Sequence, residues 1–164
     1  MTRLVCLTGL AAALLTAPDR LLAQTSDPGA LGIGFMAGSP IGFSAKYNLN
    51  AKTSIDIGLG AEDSDLHFHS DLLLNLPEVL PQPRKGKLPL YLGLGFKVQD
   101  SARTVFGFRF VGGIAYHMAQ QPLEFFAEIA PIMETSPDMG SDVEGGVGVR
   151  YYFALPSGSR RSAR

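Results

Sequence analysis

The chain has 164 residues, 46% of them hydrophobic, with 14 basic and 15 acidic side chains and a net charge of −1. That length suits one domain, and the even charge balance offers no basic surface of the kind that binds nucleic acid. The single cysteine, Cys6, lies in the N-terminal segment, so the rest of the chain has no disulfide, no cysteine nucleophile and no cysteine-ligated metal.

Residues 1–23 read as an export signal: Arg3 supplies a positive start, Leu4 to Leu15 an apolar run, and Leu21-Leu22-Ala23 a cleavage site before Gln24. A cut after Ala17 is the alternative. The apolar run falls short of the about 20 residues that a spanning helix needs. Residues 24–30 read as a flexible leader. No later segment has an apolar run of helix-spanning length, so any membrane crossing falls to strands.

Eight strands are predicted from strict alternation of side chains. The first, 31–38, sets Leu31, Ile33, Phe35 and Ala37 against Gly32, Gly34, Met36 and Gly38. After a turn at Ser39-Pro40 the second, 41–49, sets Ile41, Phe43, Ala45, Tyr47 and Leu49 against Gly42, Ser44, Lys46 and Asn48. The third, 53–61, opposes Ile55, Ile57, Leu59 and Ala61 to Ser54, Asp56, Gly58 and Gly60. The fourth, 65–75, opposes Leu66, Phe68, Leu72 and Leu74 to His67, His69, Asp71 and Asn75.

Residues 77–89 carry four prolines and the basic run Arg84-Lys85-Gly86-Lys87, and form the longest predicted loop. The fifth strand, 89–99, opposes Leu90, Leu92, Leu94, Phe96 and Val98 to Tyr91, Gly93, Gly95, Lys97 and Gln99. The sixth, 104–117, opposes Phe106, Phe108, Phe110, Ile114 and Tyr116 to Gly107, Arg109, Gly113, Ala115 and His117. The seventh, 122–132, opposes Leu123, Phe125, Ala127 and Ile129 to Glu124, Phe126, Glu128 and Ala130. A polar loop is expected over 134–141. The eighth strand ends at Phe153, with Val143, Val147, Val149 and Tyr151 against Glu144, Gly146, Gly148 and Arg150. Residues 154–164 read as a disordered tail.

Glycine shares a face with the charges. A solvated strand surface has no need of glycine, which weakens a strand. A crowded barrel interior does need it, to make room for large side chains from facing walls. The polar face therefore points inward and the apolar face outward, an arrangement suited to lipid. The expectation is an all-β chain: an eight-stranded antiparallel up-and-down transmembrane β-barrel over 31–153, exported to the bacterial outer membrane.

Gly32-Ile-Gly34, Ser39-Pro40-Ile-Gly42, Ala45-Lys46-Tyr47, Leu90-Tyr91-Leu-Gly93-Leu-Gly95, Phe125-Phe126-Ala-Glu128-Ile-Ala-Pro131 and Gly148-Val-Arg150-Tyr151-Tyr152-Phe153 follow one another along the chain. Together, in that order and spacing, they resemble a family of small outer-membrane β-barrels known among spirochaetes. More distantly the architecture is similar to the OmpA/OmpX-type barrels. The resemblance implies a fold and a location, and no established chemistry.

The expected polar network of the lumen comprises Lys46, Asp56, His67, His69, Asp71, Lys97, Arg109, His117, Glu124, Glu128, Glu144 and Arg150, paired across strands to offset the cost of burying charge. The expected lipid-facing set includes Phe43, Tyr47, Ile57, Leu92, Phe108, Phe125, Val149 and Tyr151. His67, His69 and Asp71 alternate on one face, a spacing that suggests two imidazoles and a carboxylate near a metal, with Glu124 or His117 as a further ligand. Hydrogen-bonded lumen residues are the preferred reading of the three, and no metal or cofactor is assigned. Ser70 follows His69 and so points to the opposite face, and Ser44 has no partner that the sequence indicates, so no catalytic residue is assigned.

The function expected is a membrane-spanning barrel with a largely plugged polar lumen and surface interactions through its loops. A narrow porin-like channel, a surface adhesin and a lipid-modifying enzyme are the alternatives. Expected partners are outer-membrane lipids and, during biogenesis, periplasmic chaperones and the barrel-assembly machinery. The surface ligand is open, and nucleic acid is excluded.

Overall fold

The computed structural model describes residues 27–62, 65–100, 103–137 and 139–154. The expected export signal, the first part of the leader and the tail from Leu155 lie outside the described residues. Eight strands follow one another: β1 (Ala30–Ser39), β2 (Ile41–Asn48), β3 (Thr53–Glu62), β4 (Asp65–Leu76), β5 (Leu90–Asp100), β6 (Val105–His117), β7 (Leu123–Ser136) and β8 (Gly140–Ala154). Each pairs antiparallel with the next, and β1 pairs with β8, so the sheet closes into a barrel with no free edge.

The register can be followed around the wall. Tyr152 lies opposite Gly32, Gly32 opposite Lys46, Lys46 opposite Asp56, and Asp56 opposite Asp71. Asp71 then faces Gly95, Gly95 faces Arg109, Arg109 faces Ile132, and Ile132 faces Asp142. The row returns to β8 ten residues from where it began, between Tyr152 and Asp142. With strands about 4.8 Å apart and a rise of about 3.3 Å per residue, that stagger tilts the strands by about 40°.

The interior is filled, and glycine provides the space. A methyl group on Gly32 would press 2.7 Å from the ring of Tyr152. One on Gly113 would overlap the ring of Tyr91, and one on Gly148 the ring of Phe126. The interior is less purely polar than the alternation suggests. Leu73 and Val111, which share a parity with Asp71 and Arg109, are buried with Met36, Tyr91, Ala115, Phe126 and Ala130 as an apolar layer.

Two boundaries differ from expectation. β7 runs on to Ser136 and β8 starts at Gly140, so the expected polar loop over 134–141 shrinks to residues 137–139. The reason is that Ile132 is buried and Met133 exposed, so the alternation continues into the polar residues and the ladder continues with it. At the start, Asp27–Gly29 is a turn tied to β2, with Gly29 N donating to Asn48 O at 2.8 Å and Asn48 Nδ2 to Asp27 O at 3.2 Å. The last part of the expected flexible leader is therefore part of the barrel.

The two rims are unequal. On the rim away from the start of β1 and the end of β8, Pro40 alone joins β1 to β2, and the strand bounds leave only two to four residues between β3 and β4, β5 and β6, and β7 and β8. The 77–89 loop is on the same rim as both ends of the barrel. It is held by Gln82, whose Nε2 donates to Pro77 O at 2.8 Å, Leu80 O at 2.9 Å and Leu88 O at 3.1 Å, and whose Oε1 accepts from Leu88 N at 2.8 Å. Lys87 then bridges to His117 at the end of β6.

Candidate functional site

All twelve side chains of the expected polar network lie buried inside the barrel. Four are basic (Lys46, Lys97, Arg109 and Arg150) and five acidic (Asp56, Asp71, Glu124, Glu128 and Glu144), so among the described residues the buried charges nearly cancel. They divide into two clusters, each built round one arginine whose planar fork can serve several carboxylates at once.

The first cluster centres on Arg109 of β6. Its Nε donates to Asp71 Oδ2 at 3.0 Å and its Nη2 to Glu128 Oε1 at 2.7 Å, while Nη1 pairs with Glu144. The partners are themselves held. Tyr91 Oη donates to Glu128 Oε2 at 3.0 Å, and Lys97 Nζ to Glu144 Oε1 at 3.0 Å. Lys97 also reaches Asp142 at 3.1 Å and Glu134 at 3.3 Å, two acids outside the expected network that lie nearer the rim.

The second cluster centres on Arg150 of β8, nearer the rim with the chain ends. Its Nη2 donates to both oxygens of Asp56 at 2.8 Å, Nη1 to Glu124 Oε1 at 2.7 Å and Nε to Ser44 Oγ at 2.7 Å. Its guanidinium lies 3.8 Å from the centre of the Phe126 ring, a buried cation–π contact. Glu124 Oε2 receives Lys46 Nζ at 3.3 Å, Tyr152 Oη at 2.9 Å and pairs with His117 Nε2 at 2.8 Å. Sequence reasoning found the charges but passed over Tyr152, whose parity with Arg150 on β8 is the signal that marks it.

The suggested metal grouping does not assemble as expected. Asp71 is bound to Arg109, and Glu124 and His117 meet each other in the second cluster. The carboxylate near the two imidazoles is Glu144, and ligand atoms of His67, His69 and Glu144 lie within 4.8 Å of one another. His67 Nε2 and His69 Nδ1 are 3.3 Å apart, and His67 Nδ1 is 3.6 Å from Glu144 Oε1. The donor set is chemically suited to a divalent ion. Its carboxylate, however, is already engaged by Arg109 and Lys97, whose charges oppose a cation. Ser44, left without a partner by the sequence, has Arg150.

On the outer wall Phe43, Tyr47, Ile57, Leu92, Phe108 and Phe125 are exposed, and Val149 and Tyr151 are half-buried. Aromatic rings cluster there: Phe35 and Phe43 have centroids 4.9 Å apart, and Tyr151 and Phe153 likewise 4.9 Å.

The fold is a closed eight-stranded antiparallel barrel with an ion-paired interior. The crystal structure of the N-terminal β-barrel domain of Pseudomonas aeruginosa OprF is similar, with a TM-score of 0.59 over 77% of this chain and 98% of that one, at 15% sequence identity. At that identity the likeness concerns the fold. No protein-family model matches the chain, and no curated protein matches it in sequence.

Proposed function

We propose that the chain is an integral outer-membrane β-barrel protein that spans and braces the bilayer, with a lumen plugged by its ion pairs. One observation carries this reading: the barrel is inside out relative to a soluble protein. Phe35 (61%), Phe43 (59%) and Phe108 (51%) are exposed, while Arg109 and Arg150 are 1% exposed. Water gives no stability to such a wall, and contiguous exposed apolar surface on this scale calls for a nonpolar surround. Ten strand residues at a tilt of about 40° rise about 25 Å along the axis, the height of the apolar band in such barrels.

The likeness to the OprF barrel domain and the export signal read in residues 1–23 support the outer membrane as the location. The resemblance to the spirochaete barrel family belongs to the same proposal, as do lipids, periplasmic chaperones and the assembly machinery as partners. Delivery from the periplasm favours an orientation in which the start of β1, the end of β8 and the 77–89 loop stay on the periplasmic side. The outer rim then carries only very short connections, which argues against the adhesin reading. For a lipid-modifying enzyme, the buried serines among the described residues are Ser44, whose hydroxyl is taken up by Arg150, and Ser54, whose hydroxyl donates to Asn48 Oδ1 at 3.1 Å and accepts from Asn75 Nδ2 at 2.8 Å.

A narrow channel for small solutes has one feature in its favour, a cavity of about 190 Å³ at the rim with the chain ends, lined by Lys46, Asn48, Asn75, Lys87 and His117 among others. The Glu124 cluster lies under it. Membrane fractionation with heat-modifiable gel mobility tests the main reading: a folded, faster-migrating band in the outer-membrane fraction is expected, and a heat-insensitive band in the soluble fraction would overturn it.

A further inference from the structure

We propose that the outer wall carries a binding furrow for one acyl chain of an anionic glycerophospholipid, with the phosphate end held by Arg84 and Lys85. The proposal rests on the membrane reading above and adds a ligand to it.

The furrow follows from register. Two neighbouring rows of outward side chains cross the wall side by side. One runs Phe43, Phe35, Val149, Phe125, Tyr116 over β2, β1, β8, β7 and β6. The other runs Ala37, Val147, Ala127, Ile114 over β1, β8, β7 and β6. Two of the second row's four side chains are single methyl groups, so it lies low beside a row that stands high with rings. The result is an apolar groove of about 930 Å³.

Its length and slope suit a lipid tail. Four interstrand steps of about 4.8 Å make a path of about 19 Å. With strands tilted about 40°, the path descends roughly 12 Å along the axis, comparable with one leaflet of a hydrocarbon core about 30 Å thick. The descent is toward the rim with the chain ends, because Tyr116 is one residue from the end of β6 while Phe35 lies mid-strand in β1.

At that lower end the groove meets the basic loop. Leu88 of the loop lines it beside Tyr116. Tyr116 Oη donates to Lys85 O at 3.2 Å, and Lys87 pairs with His117 through both backbone hydrogen bonds, at 3.0 and 2.8 Å. Gly86, at a φ of +80°, makes the tight turn between the two lysines, and a methyl group there would collide with His117 O and press 3.0 Å from the Tyr116 ring. The basic tip is thus fastened to the mouth of the furrow. Arg84 and Lys85 are exposed, whereas Lys87 pairs with inward-facing His117 and lines the rim cavity with it; the loop's one acid is Glu78. Two adjacent cations at the end of an apolar path, beside a tyrosine at the polar boundary, are the complement of an anionic lipid.

The test uses the folded protein in neutral detergent, with phosphatidylglycerol and phosphatidylcholine offered in equal amounts and retained lipid counted by native mass spectrometry. Wild type should keep phosphatidylglycerol over phosphatidylcholine by at least about tenfold. Arg84→Gln/Lys85→Gln should bring the two to parity, whereas Lys87→Gln, at the rim cavity, should not. Ala127→Phe, which fills the low row, should lower retention of both lipids, whereas Ala61→Phe elsewhere on the outer wall should not. Each variant is first checked for the folded gel band. Equal retention of the two lipids by wild type, or identical behaviour of Ala127→Phe and Ala61→Phe, would overturn the proposal. So would a dimer that Ala127→Phe splits, since the furrow would then belong to a second copy. Failure of wild type to enter phosphatidylcholine vesicles would remove the membrane reading and the furrow together. Entry without headgroup preference would remove the furrow alone.

Discussion

Arg150 on β8 and Asp56 on β3 are joined across the interior of the barrel, with one guanidinium nitrogen 2.8 Å from each oxygen of the carboxylate. β1 and β2 lie between these strands in the wall, so the pair is a strut through the lumen and no part of the sheet ladder. Arg150→Met should therefore leave Asp56 buried without its main counter-charge and Glu124 dependent on Lys46, at a cost of about 3–5 kcal/mol. Adding Asp56→Asn should recover part of it. The chain has no tryptophan, so urea titration read by the folded and unfolded gel bands is the practical measurement.

The outer wall is tested by Phe108→Arg. An arginine facing lipid near mid-depth costs roughly 2–4 kcal/mol, so the folded fraction in vesicles should fall sharply. An arginine introduced in the loop, by Val79→Arg at an exposed position, should be far milder.

Close packing of strands predicts a contrast between two glycines. A methyl group on Gly34 would collide with the backbone carbonyl of Val149, which cannot turn aside. On Gly112 the nearest atom is Leu92 Cδ2 at 3.5 Å, an ordinary contact. Gly34→Ala should lose about 1–3 kcal/mol and Gly112→Ala less than about 0.5 kcal/mol, measured by the same urea titration.

Zinc supplies a further check on the first cluster. Because Arg109 and Lys97 hold Glu144, millimolar zinc should leave the urea midpoint of the wild type unchanged. In Lys97→Gln the opposition to a cation is reduced, and zinc shared by His67, His69 and Glu144 should raise the midpoint.

The alternation of side chains made the wall legible in the sequence. The parity of Lys46, Asp56, Asp71, Arg109 and Arg150 on their own strands is enough to put them on one face. It also carries the information for Leu73, Val111 and Tyr152, whose apolar or mixed character drew attention away from their position. Pairing was not legible, because it depends on the stagger of the closed sheet. Arg150 meets a residue 94 positions earlier in the chain, and Glu144 meets His67 because the wall brings β8 and β4 to face each other across the lumen. The end of β7 was hidden by composition: Glu134 and Thr135 are polar, yet the ladder to β8 continues through Glu134 opposite Gly140.

The absence of tryptophan also allows the facing of the wall to be read directly. Single-tryptophan variants Phe108→Trp, Phe125→Trp and Val149→Trp, and the interior pair Tyr91→Trp and Phe126→Trp, can each be folded into vesicles containing brominated acyl chains. Strong quenching of the first three and little of the last two is the predicted result. Quenching at Tyr91→Trp and Phe126→Trp with none at Phe108→Trp would contradict it.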